Sequence, residues 1–140
     1  MAKTRGGGAM SEGPQGPDTR CEGRIQVTGE VRLLGSACPT PAAVLRVSLL
    51  DTSLADAPAL EVASVMVDRV AQRLMRGELL KFALVCQQVN PKSSYCLQAH
   101  IDQNGDALIK PGDWVSRESY PVITFGYPRH QVVRVVAVNL

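Results

Sequence analysis

Two short acidic runs are the places in this chain where chemistry would be sought first. In Asp51-Thr52-Ser53-Leu54-Ala55-Asp56-Ala57-Pro58, two carboxylates could share a proton or pair across a cation. In Asp102-Gln103-Asn104-Gly105-Asp106, carboxylates and an amide alternate as in a cation-binding loop. Both runs have a simpler reading. Asp51 and Asp56 stand beside Ser, Thr and Pro, the setting in which a short acid bonds its own backbone and turns the chain. The second run brings its glycine too early for an EF-hand and lacks the distant Glu. Asn104-Gly105 instead suits the positive φ of a type I′ hairpin turn.

The remaining reactive side chains make no constellation. His100 and His130 are far apart, no Cys-x-x-Cys occurs, and a zinc site is not expected. Gly-x-Ser-x-Gly is absent, so neither histidine has a recognised nucleophile to activate. No catalytic residue, metal ligand or cofactor-binding residue is expected, and the chain is not read as an enzyme. The cysteines are Cys21, Cys38, Cys86 and Cys96. Cys21 and Cys38 bracket the first strand and could meet. Cys86 has inward parity and Cys96 outward parity, so those two should not bridge, and free thiols are the default.

At 140 residues the chain has room for one ordinary core without metals or cross-links. A formal charge of +2 with 4% aromatic residues argues against nucleic acid, which asks for clustered cations and stacking rings. No apolar run approaches the ~20 residues that cross a bilayer. The basic start, Met1 to Gly8, has no apolar stretch behind it, so a secretory signal is not expected. A cytoplasmic location follows if the chain is complete as written, and an envelope or periplasmic one if it is a processed form. Residues 1–22, rich in Gly and Pro, are expected to be a disordered tail before a single domain over 23–140.

From Gly23 onward the pattern is β. Ile25, Val27, Val31 and Leu33 alternate with polar residues, with a weak spot or bulge expected at Gly29. Further strands are expected at Ala43 to Leu50, Leu60 to Asp68, Glu78 to Cys86, Tyr95 to Ile101, Ala107 to Lys110 and Gln131 to Val138. The last is apolar on both faces and so central. Trp114 to Tyr120 extends the sheet, and Trp114 packs across one end. Val70 to Gly77 holds one helical turn stopped by Gly77. Seven to eight short strands joined by turns predict an all-β fold, an antiparallel β-sandwich or partly closed β-barrel. With Phe82 inside and His100 outside, Phe82→Ala is expected to cost about 3–5 kcal/mol and His100→Ala within about half a kcal/mol.

Pro41 through Pro58, Phe82-Ala83-Leu84, Tyr95 through Ile101, and Tyr120-Pro121-Val122-Ile123-Thr124 with Gly126 resemble the YbaY-like lipoproteins. That broad family includes the YscW-type pilotins, lipoprotein chaperones of type III secretion. The resemblance covers residues 24 to 138, and its most specific part is Asp51, Ser53, Ala55, Asp56, Ala57 and Pro58, expected to form a structural turn. It implies a non-catalytic module that binds or supports envelope proteins, as pilotins help a secretin reach and assemble in the outer membrane. The expected partner is therefore another protein, with the chain itself a monomer. An open sheet edge could take a partner segment as an added strand, within limits set by Gly29, Pro58 and Pro111. The alternative is a carrier that holds a small apolar ligand in the sandwich interior.

Overall fold

Alternating apolar residues bury one side of each strand, and the computed structural model shows how those sides close on one another. It describes residues 24–54, 56–106 and 108–138. The expected tail, Cys21 and the motif residue Ala55 lie outside the described residues. The strands are β1 (Ile25–Leu33), β2 (Val44–Asp51), β3 (Leu60–Val67), β4 (Leu80–Cys86), β5 (Tyr95–Asp102), β6 (Trp114–Val115), β7 (Tyr120–Val122) and β8 (His130–Ala137). A single α-helix among the described residues, α1 (Val70–Met75), joins β3 to β4.

The strand order is β3-β2-β5-β6-β8-β1-β4, with β7 paired to β5 beyond this path. The two terminal strands, β3 and β4, lie against each other without a ladder between them, so the sheet curls into a nearly closed barrel with one seam. The interior is filled by branched side chains. Leu45, Leu49, Leu80, Leu97 and Ile101 are fully buried, joined by Val27, Val47, Val133 and Val135. Each such burial stabilises the fold by roughly 1.5–3 kcal/mol. Phe82 and Trp114 are buried, as their parity and bulk predict.

One pairing departs from the antiparallel pattern. β8 runs parallel to β1, with Thr28 opposite His130 and Leu33 opposite Val135. The apolar character of both faces of β8 matches its position between β6 and β1. Tyr120 helps hold this side together: its hydroxyl accepts the Arg134 amide at 2.9 Å and faces the Arg134 carbonyl at 3.5 Å.

Two local expectations need correction. Gly29 is not a bulge, since β1 pairs without interruption through it to both β4 and β8. A Cβ there would stand 2.1 Å from the Gln131 carbonyl and 2.7 Å from Phe82 Cζ, so the missing side chain is what lets the Phe82 ring close over β1. The expected strand at Ala107 to Lys110 does not form. Ala107 itself lies outside the described residues, and 108–112 belong to a loop. The partner of β5 here is β6, with His100 opposite Val115 and Ile101 opposite Trp114.

Candidate partner-binding edge

The seam is built from β3 outward. Among the described residues β3 pairs with β2 alone, so its second edge has no ladder. Ala63, Val65 and Val67 face inward yet are only half-buried, whereas their neighbours Leu45, Val47 and Leu49 on β2 are fully buried. Outward, Met66 is 58% exposed and Val62 38% exposed. Leu60, at the start of the strand, is 66% exposed. β3 thus carries apolar side chains on both faces and an unpaired row of backbone groups, the combination that recruits another strand.

The register shifts between Leu49 and Leu50, so that Ala63 faces Leu49, Glu61 faces Leu50, and Val62 is the additional residue of a bulge. On the outer surface Arg46 Nη2 reaches both carboxylate oxygens of Glu61, at 3.0 and 3.2 Å. The Ser48 hydroxyl, with the Arg46 guanidinium behind it, holds the Glu61 carboxyl below its usual range despite some burial. Strand β3 is therefore tied to β2 on one side only.

A groove lies at each end of the seam. At the α1 end, Val67, Arg73, Glu78, Leu79 and Lys81 line a space of about 370 Å³. Val70 and Ala71 bury the apolar side of α1, and Gly77, at φ 76°, stops the helix as its sequence predicts. Arg73 reaches back to Asp68, its Nε donating to the backbone carbonyl at 2.8 Å, which braces the crossing from β3 to β4.

At the opposite end a groove of about 400 Å³ is lined by Asp51, Ser53, Leu54, Pro58 and Leu60 facing Asn90, Lys92 and Ser93. Asp51 accepts the Ser53 amide at 2.9 Å and also the Ser53 hydroxyl, and these bonds, the hydroxyl first, lower its pKa. Ser53 Oγ in turn accepts the Ser94 amide at 3.3 Å, and the Thr52 amide donates to the Ser94 carbonyl at 2.9 Å. Asp56, Ala57 and Pro58 are exposed. Asp51 and Asp56 therefore do not share one site: Asp51 serves the turn, and the Ala57 amide closes on the Leu54 carbonyl at 3.5 Å.

A second cluster was not expected. His100, Asp102 and Asp113 bring potential ligand atoms within 4.8 Å of one another. His100 does point away from the core, yet its side chain is only 13% exposed because the loop after β5 folds across it. Asp113 Oδ1 accepts the Gln103 amide at 3.0 Å, and Oδ2 accepts the Lys110 amide at 3.1 Å while lying 2.9 Å from His100 Nε2. Asp102 Oδ1 accepts the amides of Asn104 and Gly105. These carboxylates are committed to backbone donors, and their chemistry is that of a loop clamp. His130, at the first position of β8, is exposed with Nδ1 3.0 Å from Thr28 Oγ1. Cys38, Cys86 and Cys96 are free thiols, and burial raises the pKa of the latter two.

Fold and site together define a β-barrel module whose two terminal strands, β3 and β4, each leave one edge without a ladder at the seam. The model of the type III secretion system lipoprotein chaperone family, YscW, matches residues 23–135, and the chain belongs to that family. Its members are chaperones that act on proteins and are not enzymes. Among solved structures, an alternative pilotin from the type II secretion system of Vibrio cholerae shares the fold, with a TM-score of 0.68 at 24% identity over 84% of this chain and 99% of that one. No curated protein matches the chain. No helix among the described residues is long and apolar enough to cross a membrane.

Proposed function

We propose that this chain is a chaperone-like module that accepts an extended segment of an envelope protein as an added strand on β3, the segment parting the seam where β3 lies against β4 without a ladder. The observation that carries this reading is β3 itself, apolar on both faces and paired on one edge. Strand addition draws affinity from main-chain hydrogen bonds and specificity from alternate side chains. Met66 and the half-buried Val65 offer such contacts on opposite faces. The family supports a protein as ligand, and a secretin-type envelope subunit is the partner class that the resemblance implies. The filled interior favours this reading over an apolar-ligand carrier.

In this reading Asp51, Ser53, Asp56, Ala57 and Pro58 form a structural turn that sets where β3 begins. The test is a capture from the native source with wild type and Met66→Lys in parallel, identified by mass spectrometry. A single protein retained by the wild type and lost by the variant supports strand addition. Equal recovery by both would remove β3 from the interface.

A further inference from the structure

The loop between β4 and β5 is a wall shared by two cavities. Asn90, Lys92 and Ser93 face the groove beside Leu60, while Val89 and Pro91 face a second cavity of about 280 Å³, lined also by Ile25, Ile123, Thr124, Phe125 and Arg129. Both lie at the end of the barrel opposite α1, so the second cavity adjoins the groove at which the open edge of β3 begins.

The segment beyond β7 is held in an unusual shape. The Thr124 amide donates to the Val122 carbonyl at 2.9 Å, a three-residue turn that puts the β-branched Ile123 at φ 75°. Phe125 follows at φ 57°. Each such conformation costs of order 1–3 kcal/mol and persists where surrounding bonds fix it. Those bonds are present: Thr124 Oγ1 donates to the Ser93 carbonyl at 2.7 Å, and the Ile123 amide to the Pro128 carbonyl at 2.9 Å. The result is a fixed platform on which Phe125 is 65% exposed and Tyr127 is exposed beside it.

Charge and size narrow what fits. The charged side chains lining the two cavities are Arg129, Lys92 and Asp51, and Asp51 is engaged with Ser53. The uncommitted charge is cationic, set around an apolar floor. A space of about 280 Å³ falls just below the roughly 300 Å³ at which small-molecule pockets begin. It suits one large apolar side chain more than a whole ligand. Exposed aromatic residues beside an arginine are also the composition of protein-binding hot spots.

We propose that this end of the barrel binds an acidic polypeptide segment, seating one large apolar side chain in the Phe125 cavity and pairing a neighbouring carboxylate with Arg129. The inference rests on the protein-binding reading but not on the β3 ladder. It is tested on the full chain, ¹⁵N-labelled, with an acetylated and amidated peptide of alternating Leu, Phe, Asp and Glu, and with the same peptide carrying Lys for each acid. The acidic peptide should shift the amides of Ile123 to Tyr127, Arg129, Val89, Asn90 and Lys92, more weakly at high salt. Arg129→Glu and Phe125→Ala should each weaken it about tenfold. Both positions are exposed, and an unchanged melting curve verifies that each variant is folded. Equal binding of the Lys peptide, no shift at these amides, or shifts confined to Glu61 to Val67 would overturn the proposal. The last result would leave strand addition on β3 standing. Conversely, a captured partner that moves Ile123 to Arg129 but leaves β3 unmoved would support this site and remove that one.

Discussion

His100 Nε2 lies 2.9 Å from Asp113 Oδ2, and through this contact the outer face of β5 is joined to the loop that crosses it. Asp113 is 1% exposed and also receives the amides of Gln103 and Lys110. Arg46 stands opposite His100 on β2, its charge directed to Glu61. His100→Ala is therefore expected to cost about 1–2 kcal/mol, more than outward parity alone predicts, because a hydrogen bond to a buried carboxylate is lost. Asp113→Ala should cost about 3 kcal/mol, since it leaves backbone donors unpaired. Denaturant melts check both; a change within about half a kcal/mol for Asp113→Ala would contradict the clamp.

The same carboxylate sets a pH dependence. Burial pushes the Asp113 carboxyl up, but the Gln103 amide, His100 and the Lys110 amide outweigh it and hold the group below its ordinary value. A depressed folded pKa gives stability that is complete above the unfolded value of about 3.9 and lost as pH falls through the lower folded value. Asp113→Asn should therefore be less stable at neutral pH and lose less on acidification below about pH 4. Parallel acid limbs for wild type and variant would show that Asp113 contributes nothing there.

Gly29 and Phe82 form one packing unit, with the ring and the Gln131 backbone carbonyl together occupying the space that a side chain at Gly29 would need. Phe82→Ala should cost about 3–5 kcal/mol through the cavity left behind. Gly29→Ala should cost about 1–3 kcal/mol by overpacking. Because the residues touch, the double variant should be less destabilised than the sum, which a double-mutant cycle measures. Strict additivity would contradict the contact.

Thiol labelling of the folded protein, read by peptide mass, should follow exposure. Cys38 is exposed and should react first, half-buried Cys96 slowly, and buried Cys86 slowest of the three. Burial also raises the pKa of Cys96 and Cys86 and so lowers their reactive thiolate. Fast labelling of Cys86 would show that β4 opens readily.

Much of this architecture is legible in the residues alone, because alternation such as Leu80, Phe82, Leu84 directly encodes a half-buried strand. What alternation does not carry is which strand lies beside which. The parallel pairing of β8 with β1 joins residues about a hundred positions apart and leaves no local trace. Gly29 reads as a weakness until Phe82 and Gln131 are seen on either side of it. Asn104-Gly105 is a strong hairpin signal, but the Asp102 carboxylate takes both amides, and Asp113 closes the loop before a long strand forms. The edge of β3 was readable only as a general property of open sheets. Its polar residues Glu61 and Ser64 sit among Leu60, Val62, Val65 and Met66, and that mixture on an edge was the available signal.

The central claim is that the free side of β3 receives a partner strand, and amide hydrogen exchange by NMR tests it most directly. In the protein alone, alternate amides of Leu60–Val67 should exchange fast, because they point into the seam, while those of β5 stay protected. With the captured partner bound, the fast amides of β3 should become protected and β5 should not change. Full protection of β3 in the protein alone, or no gain of protection on binding, would contradict the account.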